Sequence, residues 1–364
     1  MSNKHMPWDL PQMQSLPLHA KIIMSQQRTR QWYEYWDGMV YVSFSGGKDS
    51  TVLADLCAQV CRDYGYVLYL LFINTGLEYP EIQKFVKQYA EHLRKKYCID
   101  VELEIVRPEM RFDEVLKTHG YPVITKENSL YIRQCQNPTD KNEVTIRLRT
   151  EGIKSDGTKT KVGQIPQKWM YLIDAPFSIS EKCCDVMKKT PAKRYESRTG
   201  RKPIIGTQAG ESRMRYRKWL QNGCNAFDKK NPSSQPLSFW TEQDILHYIK
   251  QFNIPYASVY GDIVIDDKAE DALEGQVNLI DYLGCHEEAD RLKTTGCDRT
   301  GCIFCMFGCH LEKEPNRFQR LKETHPRQYE YCIGGGEYNE QGKWQPSKEG
   351  LGIGKVLDYI GVKY

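Results

Sequence analysis

Ser45-Gly46-Gly47-Lys48-Asp49-Ser50 constrains this chain more than any other stretch, because of what flanks it. The apolar run Met39 to Phe44 leads in, and Thr51 to Leu56, of helical composition, leads out. A strand that turns through two glycines into a helix aims free backbone N–H groups, and the positive end of the helix dipole, at whatever lies above the turn. Gly46 and Gly47 permit close backbone approach, and the Ser45 and Ser50 hydroxyls add donors. The expectation is a phosphate site. It is not a Walker A loop, which places four residues between its first glycine and Gly-Lys-Ser/Thr; here Lys48 follows the glycine pair directly and an acid comes next.

Around this loop the pattern alternates. Lys21 to Trp36 reads as a helix, Tyr66 to Ile73 as a buried strand ended by Asn74-Thr75-Gly76, and Glu81 to Tyr97 as a helix. Val101 to Val106 reads as a third strand and Phe112 to Thr118 as a short helix. Alternating strands and helices imply right-handed crossovers and a doubly wound, mainly parallel α/β sheet with ligands at the carboxyl ends of its strands. Asn137 to Gln167 departs from this: Ser155-Asp156-Gly157 is a turn signal between Val144-Thr145-Ile146 and Lys161-Val162, which predicts a hairpin-like insertion. Trp169 to Ile173 then reads as a strand, Cys183 to Lys189 as a helix, Lys202 to Gly206 as a strand, and Trp240 to Phe252 as a helix capped by Thr241. Asp262 to Glu274 turns acidic and suggests a surface loop or insertion. The expected organisation is a helical lead-in over 1–38, a nucleotide-binding α/β domain over 39–260 with its insertion at about 137–167, and over 261–364 an acidic loop, a cysteine-rich module and a tail.

Thirteen cysteines accompany an N-terminal stretch without the apolar segment of a secretory signal, and no run is long enough to span a bilayer. Reduced thiols in the cytoplasm are therefore expected rather than a disulfide framework. Cys297, Cys302, Cys305 and Cys309 crowd one short segment, followed by His310. The first three have a C-x4-C-x2-C spacing known from ferredoxin clusters; with Cys309 or His310 as fourth ligand, a structural zinc also fits. The tandem pair Cys183-Cys184 offers a second set, joining Cys302 and Cys305 around one [4Fe–4S] cluster. Cys302 and Cys305 belong to both sets. Cys332 stands alone before Gly334-Gly335-Gly336, placed as a redox nucleophile would be or simply buried. Between Glu181 and Lys218 twelve Lys or Arg face four acids, a charge balance suited to an anionic substrate beside a phosphate loop.

Four landmarks together resemble the phosphoadenosine phosphosulfate (PAPS) reductase family, a branch of the PP-loop nucleotide hydrolases. They are Ser45 to Ser50, Asn74 to Pro80, Cys183-Cys184-Asp185 with Lys188 and Lys189, and Gly206 through Gly210-Glu211-Ser212-Arg213 to Arg215 and Arg217. The resemblance implies an adenine nucleotide alpha hydrolase-like fold with phosphates at Ser45, Gly46, Gly47, Lys48 and Ser50. It places Thr75 and Gly76 near the adenosine, and Lys188, Arg213 and Arg215 at the substrate anion, with an ion pair to Glu211 as the plainer role of the arginines. Asp49 either helps hold Mg2+ or caps the helix. Two features set the chain apart from true sulfonucleotide reductases: its loop is intact, as in members that cleave ATP, and its tail, Leu357 to Tyr364, has no cysteine.

The leading expectation is thus cleavage of ATP to adenylate and pyrophosphate in support of iron–sulfur-assisted sulfur transfer, with Lys48 and Asp49 catalytic. The resemblance extends to enzymes of DNA phosphorothioation and tRNA thiolation, implying a nucleic-acid or sulfur-carrier acceptor and a cysteine desulfurase as donor. The alternative is a reductase acting on adenylylsulfate (APS) or PAPS, with Cys332 as nucleophile and a thioredoxin-like donor. A third is a module that senses adenine nucleotides without turnover.

Overall fold

The computed structural model describes residues 3–266 and 290–364. The chain forms two compact units: Met1–Asn74, Tyr79–Val106 and Arg194–Thr300 make the first, and Thr75–Glu78, Arg107–Lys193 and Gly301–Tyr364 the second. These units do not run in sequence as the three expected segments do, since the chain leaves the first after Val106 and returns at Arg194. No helix among the described residues is long and apolar enough to cross a membrane.

The first unit is built on a six-stranded sheet. Helices α1 (Asp9–Gln14) and α2 (Leu18–Tyr35) precede β1 (Val40–Ser43); α3 (Lys48–Tyr64), β2 (Leu68–Ile73), α4 (Pro80–Tyr97) and β3 (Val101–Val106) follow. After the excursion come β4 (Lys202–Ile205), β5 (Asn225–Ala226) and β6 (Ser233–Ser234). The strand order is β3-β2-β1-β4-β6-β5, parallel except for the β5–β6 pair. Six residue pairs, Leu68↔Val101 through Ile73↔Val106, join β2 to β3. Val40, Tyr41 and Val42 are all buried, as expected of a strand covered on both faces. The order turns back between β1 and β4, and at such a switch point a crevice opens beyond the strand ends.

Helix α3 is buried along nearly its whole length, so it carries no solvent face. Its buried Asp55 carboxylate accepts from Tyr248 Oη at 2.6 Å, Tyr97 Oη at 2.9 Å, Gln59 Nε2 at 2.9 Å and Lys96 Nζ at 3.0 Å, pinning α3 to α4 and to the helix Glu242–Gln251. Proline at the start of α4 and Arg94, Lys95 and Lys96 in its last turn suit the two ends of a helix. Thr241 caps Glu242–Gln251 as expected, and Asp244 returns the bond to the Thr241 N–H at 2.6 Å. The acidic stretch opens with a strand, Ile263–Ile265, paired antiparallel with Leu292–Thr294; its residues 267–274, like Cys285, lie outside the described residues.

The second unit is mainly helical, with one short antiparallel pair, Glu337–Tyr338 with Trp344–Gln345. Two expectations fail here. Val144 to Ile146 is no strand but part of a helix, Glu143–Glu151. That helix is held by Arg149, whose guanidinium lies 3.7 Å over the Tyr131 ring and donates to Gln134 and to the Gly163 carbonyl. Packing on the helix Lys126–Gln136 outweighs the β-branched residues' local preference. The turn itself is real: Gly157 N–H donates to Lys154 O at 3.0 Å, and Ile153 bridges Lys159. Trp169 to Ile173 winds into 3-10 turns over Gln167–Asp174, where only Leu172 is fully buried; an apolar run this short does not distinguish strand from helix.

Candidate functional site

In the first unit, β1 delivers the phosphate loop to the sheet's switch point. Gly46 has φ +73°, and a Cβ there would lie 2.9 Å from the side chains of Ile82 and Val86 on α4, so glycine is required by both conformation and space. Gly47 is extended, and α3 begins at Lys48. The two serines close the loop on itself: Ser45 N–H donates to Ser50 Oγ at 3.2 Å, Gly47 N–H donates to Ser45 Oγ at 3.3 Å, and the hydroxyls lie 3.0 Å apart.

Lys48 is buried, and its ammonium does not point into open solvent. Nζ donates to the Asp298 carbonyl at 2.7 Å and pairs with Glu242 at 3.0 Å, while the backbone N–H donates to Tyr260 Oη at 3.1 Å. Tyr260 Oη in turn lies 2.6 Å from Thr300 Oγ1. Asp49 accepts from Gln208 Nε2 at 2.9 Å, a bond that reaches from the β4 exit across to the loop. Next to Gln208, the Glu211 carboxylate gathers the Gln208 N–H at 3.1 Å, the Arg299 guanidinium at 3.0 Å and an ion pair with Arg215. Burial, and then the nearby Arg299, hold the Arg215 guanidinium below its usual range. Arg213 is exposed at the start of its helix, whose cap is Ser212. Of the expected anion-binding arginines, then, Arg215 is committed to Glu211 and Arg213 stands clear of it. Sequence reasoning missed Gln208, Asp298, Arg299 and Thr300 as members of this site, because nothing local marks residues that meet only through the fold.

In the second unit, the Thr75–Glu78 segment forms a tight turn. Glu78 accepts from the Thr75 hydroxyl at 2.7 Å and from its N–H at 3.0 Å, and Gly76, at φ +75°, has nothing within 4 Å of where a Cβ would stand. The expected thiols also meet in this unit. Burial pushes the Cys183 thiol far up, and Cys302, Cys184 and Cys305 add to the shift. Burial pushes Cys302 up to about 11 against the pull of Lys188, and Cys305 rises by burial against Arg317. Burial opposes the charge on Lys188, yet Cys302, Glu78 and Cys184 together raise its pKa. Lys188, expected at the substrate anion, thus sits near Cys302, Cys184 and Glu78. Arg317 Nη1 also donates to the Cys305 carbonyl at 2.8 Å. These two cations favour the thiolate forms of Cys302 and Cys305. Among the described residues no group of three or more His, Cys, Asp or Glu is placed to hold a metal ion.

Of the other candidates, Cys309 also lies near Cys305 and Arg317. Cys297 belongs to the first unit, where its N–H donates to Val259 O. Cys309 is buried and its thiol is pushed up to about 12, first by burial. His310 turns edge-on to Trp169, and burial with Lys168 lowers its pKa. Cys332 is fully buried in the helix Pro326–Ile333, and burial lifts its thiol far from the thiolate range a nucleophile needs. The twelve described cysteines form no disulfide with one another.

A parallel sheet with a glycine loop at its switch point, leading into a helix that starts with lysine, defines an α/β nucleotide-binding protein of PP-loop type. The chain belongs to the phosphoadenosine phosphosulfate reductase domain family, whose model matches residues 39–140 and 126–306. It is 38% identical over 300 residues to an uncharacterized protein of Methanocaldococcus jannaschii, covering 82% of this chain and 48% of the relative, so the chain spans about half the length of that relative. Among solved structures it is similar to an NMN synthetase from Francisella tularensis (TM-score 0.33, 12% identity, 66% of this chain and 73% of that one). It is also similar to an NH3-dependent NAD synthetase from Campylobacter jejuni (TM-score 0.32, 13% identity, 75% and 90%). Likenesses this distant carry no functional argument.

Proposed function

We propose that this protein binds an adenine nucleotide at Ser45–Ser50 and cleaves ATP between the α- and β-phosphates in support of sulfur transfer. The observation that carries the reading is the intact loop at the sheet's switch point, with Lys48 opening α3 beneath it. An acceptor oxygen bonds to the α-phosphorus while the bond to the bridging oxygen breaks, and that electron pair leaves with pyrophosphate. Lys48 and the N-terminal N–H groups of α3 stabilise the charge that builds on the departing phosphates. Mg2+, when bound, supplies further neutralisation, and Asp49 is the carboxylate that would hold it. A sulfur nucleophile then displaces AMP from the adenylated acceptor, which turns a C–O bond into a C–S bond or a P–O bond into a P–S bond.

Cys183, Cys184, Cys302 and Cys305 are the ligands we assign to a [4Fe–4S] cluster. Lys188 and Arg317, which pull the Cys302 and Cys305 thiols toward the thiolate form, support this reading. When bound, the cluster would supply a site at which sulfur can be held. The acceptor is a nucleic acid or a sulfur carrier, and the donor a desulfurase-type protein. Thirteen cysteines, the described ones without a disulfide among them, suit a reducing cytoplasm.

The test is pyrophosphate release from ATP and Mg2+ by anaerobically purified protein, alone and with tRNA or DNA, for wild type and Lys48→Ala. Release that falls by about 100- to 1,000-fold in the variant is the expected result. Sulfite formation from APS or PAPS with a thiol donor, without pyrophosphate release from ATP, would replace this reading with the reductase one.

A further inference from the structure

Three successive residues, Asp298, Arg299 and Thr300, each contact the phosphate site, and each contact uses a group that a bound polyphosphate would want. The Asp298 carbonyl holds the Lys48 ammonium at 2.7 Å. The Thr300 hydroxyl, 2.6 Å from Tyr260 Oη, stands over Gly47, where a Cβ would meet it at 3.1 Å; Tyr260 Oη is already taking the Lys48 N–H. Arg299 is held 3.0 Å from Glu211 Oε1, on a carboxylate whose Oε2 pairs with Arg215, so two guanidiniums share one negative charge. The base of the segment is anchored by Gly296 N–H to Tyr260 O at 2.9 Å and Cys297 N–H to Val259 O at 3.0 Å. The Arg299 side chain is otherwise well exposed, at 62%.

We propose that residues 297–300 are a strap that engages the Lys48 ammonium and stands over Gly47, and that Arg299 is a phosphate-binding residue handed from Glu211 to an incoming polyphosphate. The inference rests on the nucleotide reading above and names the residues that regulate that same site. A triphosphate outcompetes a neutral carbonyl for the Lys48 ammonium, because an ionised acceptor makes the stronger hydrogen bond. The same anion draws one of the two guanidiniums off Glu211. Arg299 is the one to transfer, since it hangs on a short segment freed by the loss of the Lys48 contact, while Arg215 is fixed in the helix Arg213–Asn222. The strap thus acts as a lid that a polyphosphate opens and then recruits.

Isothermal titration of the full chain with ATP, inorganic tripolyphosphate and adenosine, each with Mg2+, tests this in wild type, Arg299→Ala and Thr300→Ala. Arg299→Ala should weaken ATP and tripolyphosphate about 10- to 100-fold and leave adenosine within twofold, as loss of a charge-assisted contact requires. Thr300→Ala, which loosens the strap without touching Arg299, should tighten both polyphosphates severalfold and leave adenosine unchanged. Polyphosphate affinities that Arg299→Ala leaves at the wild-type value overturn the assignment of Arg299, and weaker polyphosphate binding by Thr300→Ala overturns the strap. If wild type binds tripolyphosphate but shows no preference for ATP and no adenosine binding, the nucleotide reading fails while the strap is still decided by the same two variants. If it binds no polyphosphate at all, both fall.

Discussion

The phosphate loop and the thiol group place reactive chemistry in a protein in opposite ways. The loop is six consecutive residues, and most of what shapes it is backbone: a left-handed Gly46, an extended Gly47, and two serines bonded to each other and to loop N–H groups. The thiol group joins a tandem pair at 183 and 184 to residues more than a hundred positions later, and its character comes from side chains. Lys188 and Arg317 supply the positive charge that the N-terminus of α3 supplies to the loop. A contiguous loop draws its shape from its own neighbouring residues, with the Ser45 and Ser50 hydroxyls closing it. An assembled group has no shape apart from its members.

That contrast predicts a double dissociation, the largest effect expected here. Cys302→Ser should abolish bound iron and its visible absorbance in anaerobically purified protein, while nucleotide binding stays near wild type. Lys48→Ala should do the reverse, keeping the iron and losing pyrophosphate release. Iron counted per chain alongside ATP titration checks both. Loss of nucleotide binding in Cys302→Ser would show that the two sites are not separable, and iron retained by Cys302→Ser but lost from Cys309→Ser would move the ligand set.

How much of this was legible in sequence follows the same divide. The strands β1 to β4, the helices between β1 and β3 and the phosphate loop could be read because periodicity and glycine placement are local signals. Thr241 announced its cap by the acids that follow it. What escaped depends on distance in the chain. Glu143–Glu151 carries Val144, Thr145 and Ile146, and becomes a helix through Arg149 and its neighbours around Tyr131 and Gln134. Gln208 reaches Asp49 across 159 positions, and Asp298 reaches Lys48 across 250. Cys332, beside three glycines, read either as a redox nucleophile or as simply buried, and only its place in a helix, with no exposed surface of its own, chooses the second.

Two glycines sharpen the comparison at the next scale. Gly46 and Gly76 have nearly the same positive φ, +73° and +75°, one in each unit. Alanine at either should cost about 1–2 kcal/mol for the left-handed backbone alone. At position 46 the added methyl also meets Ile82 and Val86 at 2.9 Å, whereas at position 76 it meets nothing. Overpacking adds roughly 1–3 kcal/mol, so Gly46→Ala should be the more destabilising in urea melts. Equal losses would mean that α4 yields and the loop is less rigidly backed than its contacts suggest.

The smallest effect concerns how α4, which backs the loop, responds to pH. His92 is half-buried on α4, with its ring stacked on Tyr89 at 5.6 Å and Nε2 without a hydrogen-bond partner. Burial lowers its pKa, Lys96 lowers it further, and Asp55 only partly offsets them. The folded protein therefore releases this proton more readily than the unfolded chain, whose imidazole titrates near pH 6.5. Where the unfolded state binds more protons, stability rises with pH. The contribution is complete above about pH 6.5 and shrinks as pH falls toward the folded value, below which it stays constant. Screening at a partly exposed ring holds the effect to on the order of 0.5 kcal/mol, under about 1 °C in melting temperature for a chain of this length. Melting curves between pH 8 and 5 for wild type and His92→Gln should diverge at the acid end, the variant losing less. A wild-type curve that stabilises on acidification would place a charged partner at His92 and reverse its role in supporting the loop.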